Sequence, residues 1–133
     1  MNAIMTSGKR KKAIARAIIR EGKGIIRINN KLLGIYEPEL VRLRIQEPLL
    51  IADQLSGKVD IEVKITGGGT ASQADAARLA IARAIVKFAN DSALEKAFDE
   101  YDRNLLVADV RRKEARKPNT TSKARAKKQK SYR

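Results

Sequence analysis

The side chains of this chain that are best suited to chemistry are basic. Lys and Arg number 29 against 15 Asp and Glu, so the formal net charge is +14 at pH 7. Cys and His are both absent, which excludes disulfides, thiol nucleophiles, the usual zinc ligands and the one side chain that ordinarily titrates near neutrality. The carboxylates, such as Asp60 and Glu62, form no nucleophile–base pattern. We therefore expect a binding protein with no catalytic residue, metal or cofactor; a small enzyme is the rival from another class.

The basic residues are unevenly distributed along the chain. Residues 1–31 carry nine basic and one acidic residue, residues 32–110 carry nine and thirteen, and residues 111–133 carry eleven and one. The net charges of the three parts are +8, −4 and +10, which agree with the total of +14. A slightly acidic middle between two basic ends predicts two localised contact regions for a polyanion.

Nucleic acid is the first candidate for that polyanion, and an anionic membrane surface is the second. A polybasic membrane binder needs an acylation site or an aromatic-rich interfacial helix, whereas this chain has two Phe, three Tyr and no Trp. No stretch approaches the roughly 20 apolar residues of a membrane span, and residues 1–7 lack the apolar run of a signal peptide. The sequence favours a cytoplasmic RNA-binding protein.

Two clusters of Lys and Arg are the candidate RNA-binding residues. The first cluster consists of Lys9, Arg10, Lys11, Lys12, Arg16 and Arg20. The second, in the tail, consists of Arg111, Arg112, Lys113, Arg116, Lys117, Lys123, Arg125, Lys127, Lys128, Lys130 and Arg133. Such side chains neutralise phosphates and release counterions, and Arg also stacks on bases. The alternatives are a charged strand end that blunts a sheet edge for the first cluster, and a solvated tail or localisation signal for the second.

A strand, a glycine run and a long helix form the most clearly defined part of the fold. Residues 59–65 alternate apolar and polar side chains, which is typical of a strand with one buried face. Gly67–Gly69 follow, and residues 70–90 have helical spacing, with Ser72 and Asp75 at the spacing of a capping box. Two apolar faces on that helix predict packing against both the sheet and a second helix.

The glycine run has two interpretations. Before a helix N-terminus it could bind a phosphate through its backbone amides, or it could form a tight turn that lets the strand and the helix pack closely. The Walker and dinucleotide-binding patterns are both absent, so we favour the turn.

The remaining elements complete an α+β domain. We expect a helix over residues 38–55, interrupted by Pro48 after residue 45 or 46, and a short helix over residues 92–101. Residues 12–20 fit either an alanine-rich helix or an alternating strand. We favour the strand, because a glycine-containing turn follows it and the run with the β-branched residues Ile25, Ile26 and Ile28 could then pair back as a hairpin.

The fraction of apolar residues falls sharply after residue 110, so the chain divides into two parts. We expect residues 1–110 to form a globular RNA-docking core with a basic N-terminal strand. Residues 111–133 cannot bury enough apolar surface to offset their conformational entropy, so we expect an extended basic tail that becomes ordered only on RNA. Fully extended, a tail of about 23 residues at about 3.3 Å each reaches about 75 Å, much further than a domain of this size extends.

Five motifs, in order, closely resemble the S-nine family of small-subunit ribosomal proteins. They are Gly8–Ala17, Gly67–Gly69 leading to Gln73–Arg78, Ile81–Ala84, Asp109–Glu114 and Gln129–Arg133. One such motif is weak evidence, but five in order are highly specific. The last three residues, Ser131, Tyr132 and Arg133, resemble the archaeal and eukaryotic branch of the family.

The resemblance implies a two-layer α+β sandwich of the ribosomal S-five domain-two type, seated on ribosomal RNA in the head of the small subunit. It implies that Lys9–Lys12, Arg16 and the tail hold ribosomal RNA, and that the tail reaches the peptidyl-site tRNA. The tRNA-binding residues that it implies are Lys130, Ser131, Tyr132 and Arg133. The implied partners are small-subunit ribosomal RNA, peptidyl-site tRNA and neighbouring head proteins, with no membrane and no small-molecule substrate. The alternative function is a free-standing basic RNA chaperone or regulator.

The sequence departs from the family pattern at one point in the tail. After Lys117 and Pro118 the family commonly has glycines, whereas this chain has Asn119, Thr120 and Thr121. Because Asn adopts a left-handed backbone more readily than Thr, we expect the local path of the tail to differ here while its role is retained.

Overall fold

The structure is a computed structural model that describes residues 3–36, 38–118 and 123–125. The strands in chain order are β1 (Ile4–Arg10), β2 (Ala13–Glu21), β3 (Ile26–Ile28), β4 (Lys31–Leu32) and β5 (Val59–Thr66). The α-helices are α1 (Glu39–Ile51), α2 (Asp53–Ser56), α3 (Thr70–Ala89) and α4 (Ser92–Tyr101), and short 3-10 helices occupy Leu33–Ile35 and Arg103–Leu105. Within these ranges, none of the helices has the length and apolar character needed to cross a membrane.

One mixed sheet and a layer of helices make up the α+β fold that the sequence predicted. The strand order is β1-β2-β5-β3-β4, and all neighbouring pairs are antiparallel except β3 and β5, which are parallel. Helix α3 packs on β1, β2 and β5 and is itself flanked by α1. Burial alternates along β2 and β5, so one face of the sheet is covered by helices and the opposite face is open.

Small side chains line the contact between α3 and the first two strands. Ala13, Ala15 and Ala17 of β2 are fully buried, and the facing side of α3 is rich in buried alanine. On β1, a Cβ added at Gly8 would lie 2.4 Å from the Ala76 carbonyl oxygen and 2.8 Å from the Ala80 nitrogen. The helix therefore lies against the strands almost at backbone contact, and its packing against both the sheet and α1 confirms the two predicted apolar faces.

The glycine run between β5 and α3 is a tight turn, as predicted. Gly67 and Gly68 have φ of +74° and +67°, which L side chains rarely adopt. A Cβ at Gly67 would lie 2.5 Å from the Lys12 carbonyl oxygen, and one at Gly68 would lie 2.9 Å from the Ala13 nitrogen. The turn therefore packs directly on the start of β2.

The prediction of strand for residues 12–20 is confirmed by β2, but the predicted hairpin with residues 25–28 is wrong. Strand β2 pairs instead with β1 and β5, while β3 pairs in parallel with β5. The β1–β2 hairpin closes through a tight turn in which Lys11 has φ of +54°. The turn between β2 and β3 crosses the end of β5, which lies between these two strands in the sheet. Asp60 on β5 accepts hydrogen bonds from the N–H groups of Lys23 and Ile25 in this turn, at 2.9 and 3.0 Å.

Two helix predictions also need correction. Pro48 does not interrupt α1, which continues through it to Ile51; the proline ring is buried in the core, where apolar packing offsets the missing hydrogen bond. The predicted capping box at Ser72 and Asp75 is wrong as well, because α3 begins after Gly69 without a side-chain cap. The helices expected over residues 70–90 and 92–101 are confirmed.

The Gly8 contact yields a stability prediction. Gly8→Ala should lower the free energy of unfolding by about 1–3 kcal/mol, because the methyl group forces α3 away from β1. Urea unfolding of the full chain measures this as a lower midpoint. The matched control is Gly34→Ala, where no atom lies within 4 Å of the added Cβ, and a change within about 0.5 kcal/mol is expected. Equal effects of the two substitutions would contradict the close packing.

Candidate nucleic-acid interface

The open face of the sheet carries five exposed basic side chains from four strands. They are Lys9 on β1, Arg16 and Arg20 on β2, Arg27 on β3 and Lys64 on β5. Two acidic residues, Asp60 and Glu62 on β5, share this face. Strand alternation brings these side chains to one side, so the face has a net positive charge.

Arg16 and Lys64 form the most unusual pair on this face. They lie directly opposite each other across β2 and β5, and both are exposed. Like charges in this position destabilise a sheet. Within the described residues, neither side chain forms an ion pair. An anion bound between the two would relieve their repulsion.

The acidic residues on the open face already have partners. The backbone N–H groups of Ile25 and Lys23 hold the pKa of the Asp60 carboxyl below its ordinary value of 3.8. The same two hydrogen bonds fix the turn before β3. Glu62 lies 3.5 Å from the Arg20 guanidinium. The acids therefore neutralise part of the face and leave Arg16 and Lys64 available.

Apolar side chains lie among these cations. Met5 on β1 is 64% exposed, and Ile18 on β2 is half-buried. Together with Arg16, Arg27 and Lys64 they line a depression in this face. A surface that combines cations with apolar atoms can contact both the phosphates and the bases or sugars of RNA.

The first basic cluster divides between two faces of the molecule. Lys9, Lys11 and Lys12 are exposed around the β1–β2 turn, as expected for a contact region. The Arg10 side chain is only 17% exposed and lies 3.9 Å from Asp75 on α3 and 3.7 Å from Asp109. Arg10 therefore joins β1, the start of α3 and the chain segment that leads to the tail.

Asp109 is the acceptor on which that segment is anchored. Arg111 donates to its carboxylate from Nη2 at 2.7 Å, from Nε at 3.1 Å and from the backbone N–H at 3.0 Å. These Arg111 hydrogen bonds, aided by the charge of Arg10, hold the pKa of the Asp109 carboxyl well below its ordinary value of 3.8. Asp109 therefore stays ionised and fixes the direction in which the chain leaves the core.

A second arginine fastens the same segment to the edge of the sheet. Arg83 on α3 donates to the carbonyl oxygens of Leu106 and Ser7, both at 3.0 Å. The exit of the tail thus lies beside β1. Lys9, Arg10 and Arg111 line one cavity, so the two basic ends of the chain meet at one corner of the molecule.

Arg78 is buried and serves packing rather than an external ligand. Its guanidinium lies 2.6 Å from Glu47 on α1 and 3.0 Å from Asp102 after α4. Burial raises the pKa of Asp102, but the N–H of Asn104 and the Arg78 guanidinium outweigh burial and hold the pKa below its ordinary value. Asp75, next to this group, also accepts a hydrogen bond from Arg44. The network joins α1, α3 and the segment after α4.

Comparison with known proteins identifies the family. A family model described as ribosomal protein S9/S16 matches residues 8–133. The chain belongs to this family. It is 52% identical to a protein of Methanothrix thermoacetophila over the whole of both chains, and 53% identical to one of Thermoplasma acidophilum over 98% of this chain and 100% of that one. It is 48% identical to one of Methanococcus vannielii over the whole of both chains, and each is named small ribosomal subunit protein uS9.

Family membership confirms several expectations. It confirms the resemblance drawn from the five motifs, a ribosomal rather than an enzymatic role, and a cytoplasmic location. The chain is therefore a structural protein of the small ribosomal subunit.

The tail of this family member is described only in part. Residues 111–118 and 123–125 contain no helix or strand, and the basic residues in these two ranges are Arg111, Arg112, Lys113, Arg116, Lys117, Lys123 and Arg125. Arg125 donates to Glu114 at 3.0 Å. Lys127 and Lys128, and the four tRNA-binding candidates Lys130, Ser131, Tyr132 and Arg133, lie outside the described residues.

Sequence reasoning placed Arg10 among the outward-facing cations and left Arg27 and Lys64 out of the candidate site. Strand alternation alone identifies Lys64 as solvent-facing. What it does not give is the strand order, which puts Lys64 next to Arg16.

The Asp109 anchor predicts a pH dependence. A carboxyl whose pKa is lowered in the folded state stabilises the fold above its unfolded-state pKa, and this stabilisation disappears as the pH falls through the folded-state pKa. Thermal unfolding should therefore give a higher Tm for the unsubstituted chain than for Asp109→Asn near neutral pH, with the difference shrinking below about pH 4.

The matched control for this prediction is Asp99→Asn, which removes an exposed carboxyl on α4. Its Tm difference should be small across the same pH range. A Tm difference for Asp109→Asn that stays constant or grows on acidification would contradict the anchor.

Proposed function

We propose that this small-subunit ribosomal protein binds ribosomal RNA through three adjoining basic surfaces. They are the open sheet face, the β1–β2 turn and the tail. The observation that carries the proposal is the exposed Arg16 and Lys64 pair, two like charges directly opposite each other across neighbouring strands. A phosphate is the ligand whose charge and size suit such a pair.

The electrostatics of binding follow from the arrangement of charge. Phosphate contacts by Lys and Arg release condensed counterions from the RNA, which is the main source of salt-dependent affinity. The repulsion between Arg16 and Lys64 is also removed when a phosphate lies between them. Lys9, Lys11 and Lys12 extend the cationic surface around the end of the hairpin.

The corner where the two chain ends meet makes the surface continuous. Lys9 on β1 and Arg111 at the start of the tail line the same cavity, although about a hundred residues separate them in the sequence. Arg10 and Asp109 hold this corner together from inside. An RNA backbone crossing the open sheet face can therefore continue along the tail.

We infer the role of the tail from its composition and its attachment. Residues 1–110 act as the docking core, and residues 111–133 become ordered only on RNA, because their side chains bury little apolar surface. The tail residues proposed to hold ribosomal RNA are Arg111, Arg112, Lys113, Arg116, Lys117, Lys123, Arg125, Lys127 and Lys128.

The end of the tail is proposed to contact the peptidyl-site tRNA, an inference that comes from the family resemblance. Lys130 and Arg133 supply cations for phosphates, and the Arg133 guanidinium can bind a phosphate through two hydrogen bonds. Tyr132 offers a ring that can stack on a base, and Ser131 a hydroxyl. The extended tail is long enough to reach a site remote from the core.

The open sheet face generates a binding prediction. The double substitution Arg16→Glu with Lys64→Glu should weaken binding to small-subunit ribosomal RNA by about tenfold or more, because two phosphate contacts are replaced by repulsion. The slope of log K against log salt concentration should also become shallower by about 0.7 to 0.9 for each phosphate that the variant no longer neutralises. Filter binding over a range of salt concentrations measures both effects.

The control for this prediction is Lys96→Glu, an exposed substitution on α4 in the helical layer. It reverses one charge without touching the open face, so affinity should change by only a few-fold. If it weakened binding as much as the double variant does, net charge rather than the open face would determine affinity.

The tail end generates a separate prediction. A chain that lacks Tyr132 and Arg133 should enter small subunits at the normal level, because the docking core and most of the tail remain. Those subunits should retain less tRNA at the peptidyl site. Sedimentation measures incorporation, and binding of labelled tRNA to the purified subunits measures retention. Normal tRNA retention would exclude the proposed contact, and failed incorporation would show that these residues are structural.

A further inference from the structure

An apolar groove lies beside α1, away from the open sheet face. Its floor contains the buried side chains of Leu33 and Leu49. Its exposed walls are formed by Ile25, Leu32, Ile35 and Leu50. We call the floor and the walls together the α1 groove. These four side chains are 42%, 48%, 69% and 71% exposed. Such a concentration of exposed aliphatic side chains marks an interaction surface rather than ordinary solvent-facing protein.

The apolar character continues along the solvent side of α1. Leu40 is 81% exposed and Leu43 is 49% exposed. At 100° per residue, these two leucines and Leu50 fall within one arc of the helix. The leucine positions contribute little to the core of this chain, so nothing in its own folding requires them to be apolar.

The charge of this region argues against RNA as its ligand. Among the described residues, the charged side chains that line the α1 groove are one cation, Lys23, and one anion, Asp53. The acidic residues of α1 are already paired, Glu39 with Arg42 at 3.6 Å and Glu47 with Arg78 at 2.6 Å, so the helix adds no unpaired acid to this region. A surface of balanced charge releases few counterions from a phosphate backbone, in contrast to the five cations of the open sheet face.

The tail of this chain is also a poor occupant. From residue 111 onward, its only apolar side chains are alanines and one tyrosine, Tyr132. Such a segment cannot fill a groove built for branched aliphatic side chains. The groove therefore fits a separate protein.

We propose that the α1 groove docks an aliphatic or aromatic ridge of another protein of the small ribosomal subunit, with basic residues flanking that ridge. The ridge fills the space between Ile35 and Leu50, and the flanking cations face Asp53, an exposed carboxylate that forms no ion pair among the described residues. Protein interfaces have this arrangement of an apolar centre with a polar rim. The inference rests on the proposed place of the chain in the small subunit.

Site-directed cross-linking tests this docking. Because the chain has no cysteine, Leu50→Cys can be labelled at that single position with a maleimide benzophenone and assembled into small subunits. Illumination should join this chain to another subunit protein, which mass spectrometry identifies together with the cross-linked residue. A basic segment with an aliphatic or aromatic residue at the cross-link is the expected result.

The matched probe is Lys64→Cys on the open sheet face, carrying the same label. It should cross-link to ribosomal RNA. Failure of the Lys64→Cys probe with success at Leu50→Cys would count against the proposed RNA surface and not against the groove, and the reverse result would count against the groove alone.

Four results at Leu50→Cys would overturn the docking proposal. They are cross-links to RNA, to a second copy of this chain or to its own tail, and the absence of any cross-link in assembled subunits. A second variant, Leu50→Asp, leaves the core intact because the side chain is exposed. It should lower occupancy of the partner protein in washed subunits by roughly tenfold, while this chain stays bound; unchanged occupancy would also overturn the proposal.

Discussion

The close approach of α3 to β1 and β2 is the constraint on which the rest of the structure depends. Gly8 and the alanines of β2 bring the helix almost to backbone contact with the strands. A helix held this near covers β1, β2 and β5 on one face of the sheet, while the opposite face carries the exposed side chains of those strands. That packing decides which side of the strands is buried, and Arg83 of the same helix holds the exit of the tail beside β1.

Arginine has two distinct roles in this fold. Arg10, Arg78 and Arg83 have their charge or their donors used within the chain, where they join strands, helices and the exit of the tail. Arg16 and Lys64 instead face solvent, and among the described residues neither forms an ion pair with a carboxylate. The planar, multidentate guanidinium suits the inner role, because one side chain can bridge two or three elements. The net charge of the chain therefore overstates the number of basic side chains that are free to bind RNA. Tertiary packing determines which of them are free.

The sequence was most informative where the signal was local. The alternation over residues 59–65 and the helical spacing over residues 70–90 report directly on burial of one face, and both elements formed as predicted. Sequence could not give the order of the strands, because β5 lies between β2 and β3 through contacts between residues about 40 apart. The pairing of Arg16 with Lys64 and the inward role of Arg10 depend on that order and on tertiary packing. The prediction at Pro48 was wrong for a similar reason, since burial in the core overrode the local preference for a helix break.

The contact of Arg83 with the Ser7 carbonyl has a consequence for the protein before it meets its RNA. Strand β1 is one of the two edges of the sheet, and an edge with unpaired carbonyls can pair with a strand from a neighbouring molecule. A guanidinium already bonded to one of those carbonyls breaks the row that such a strand would need. The β1 edge is therefore a poorer template for pairing with a strand of a second copy than a bare edge would be.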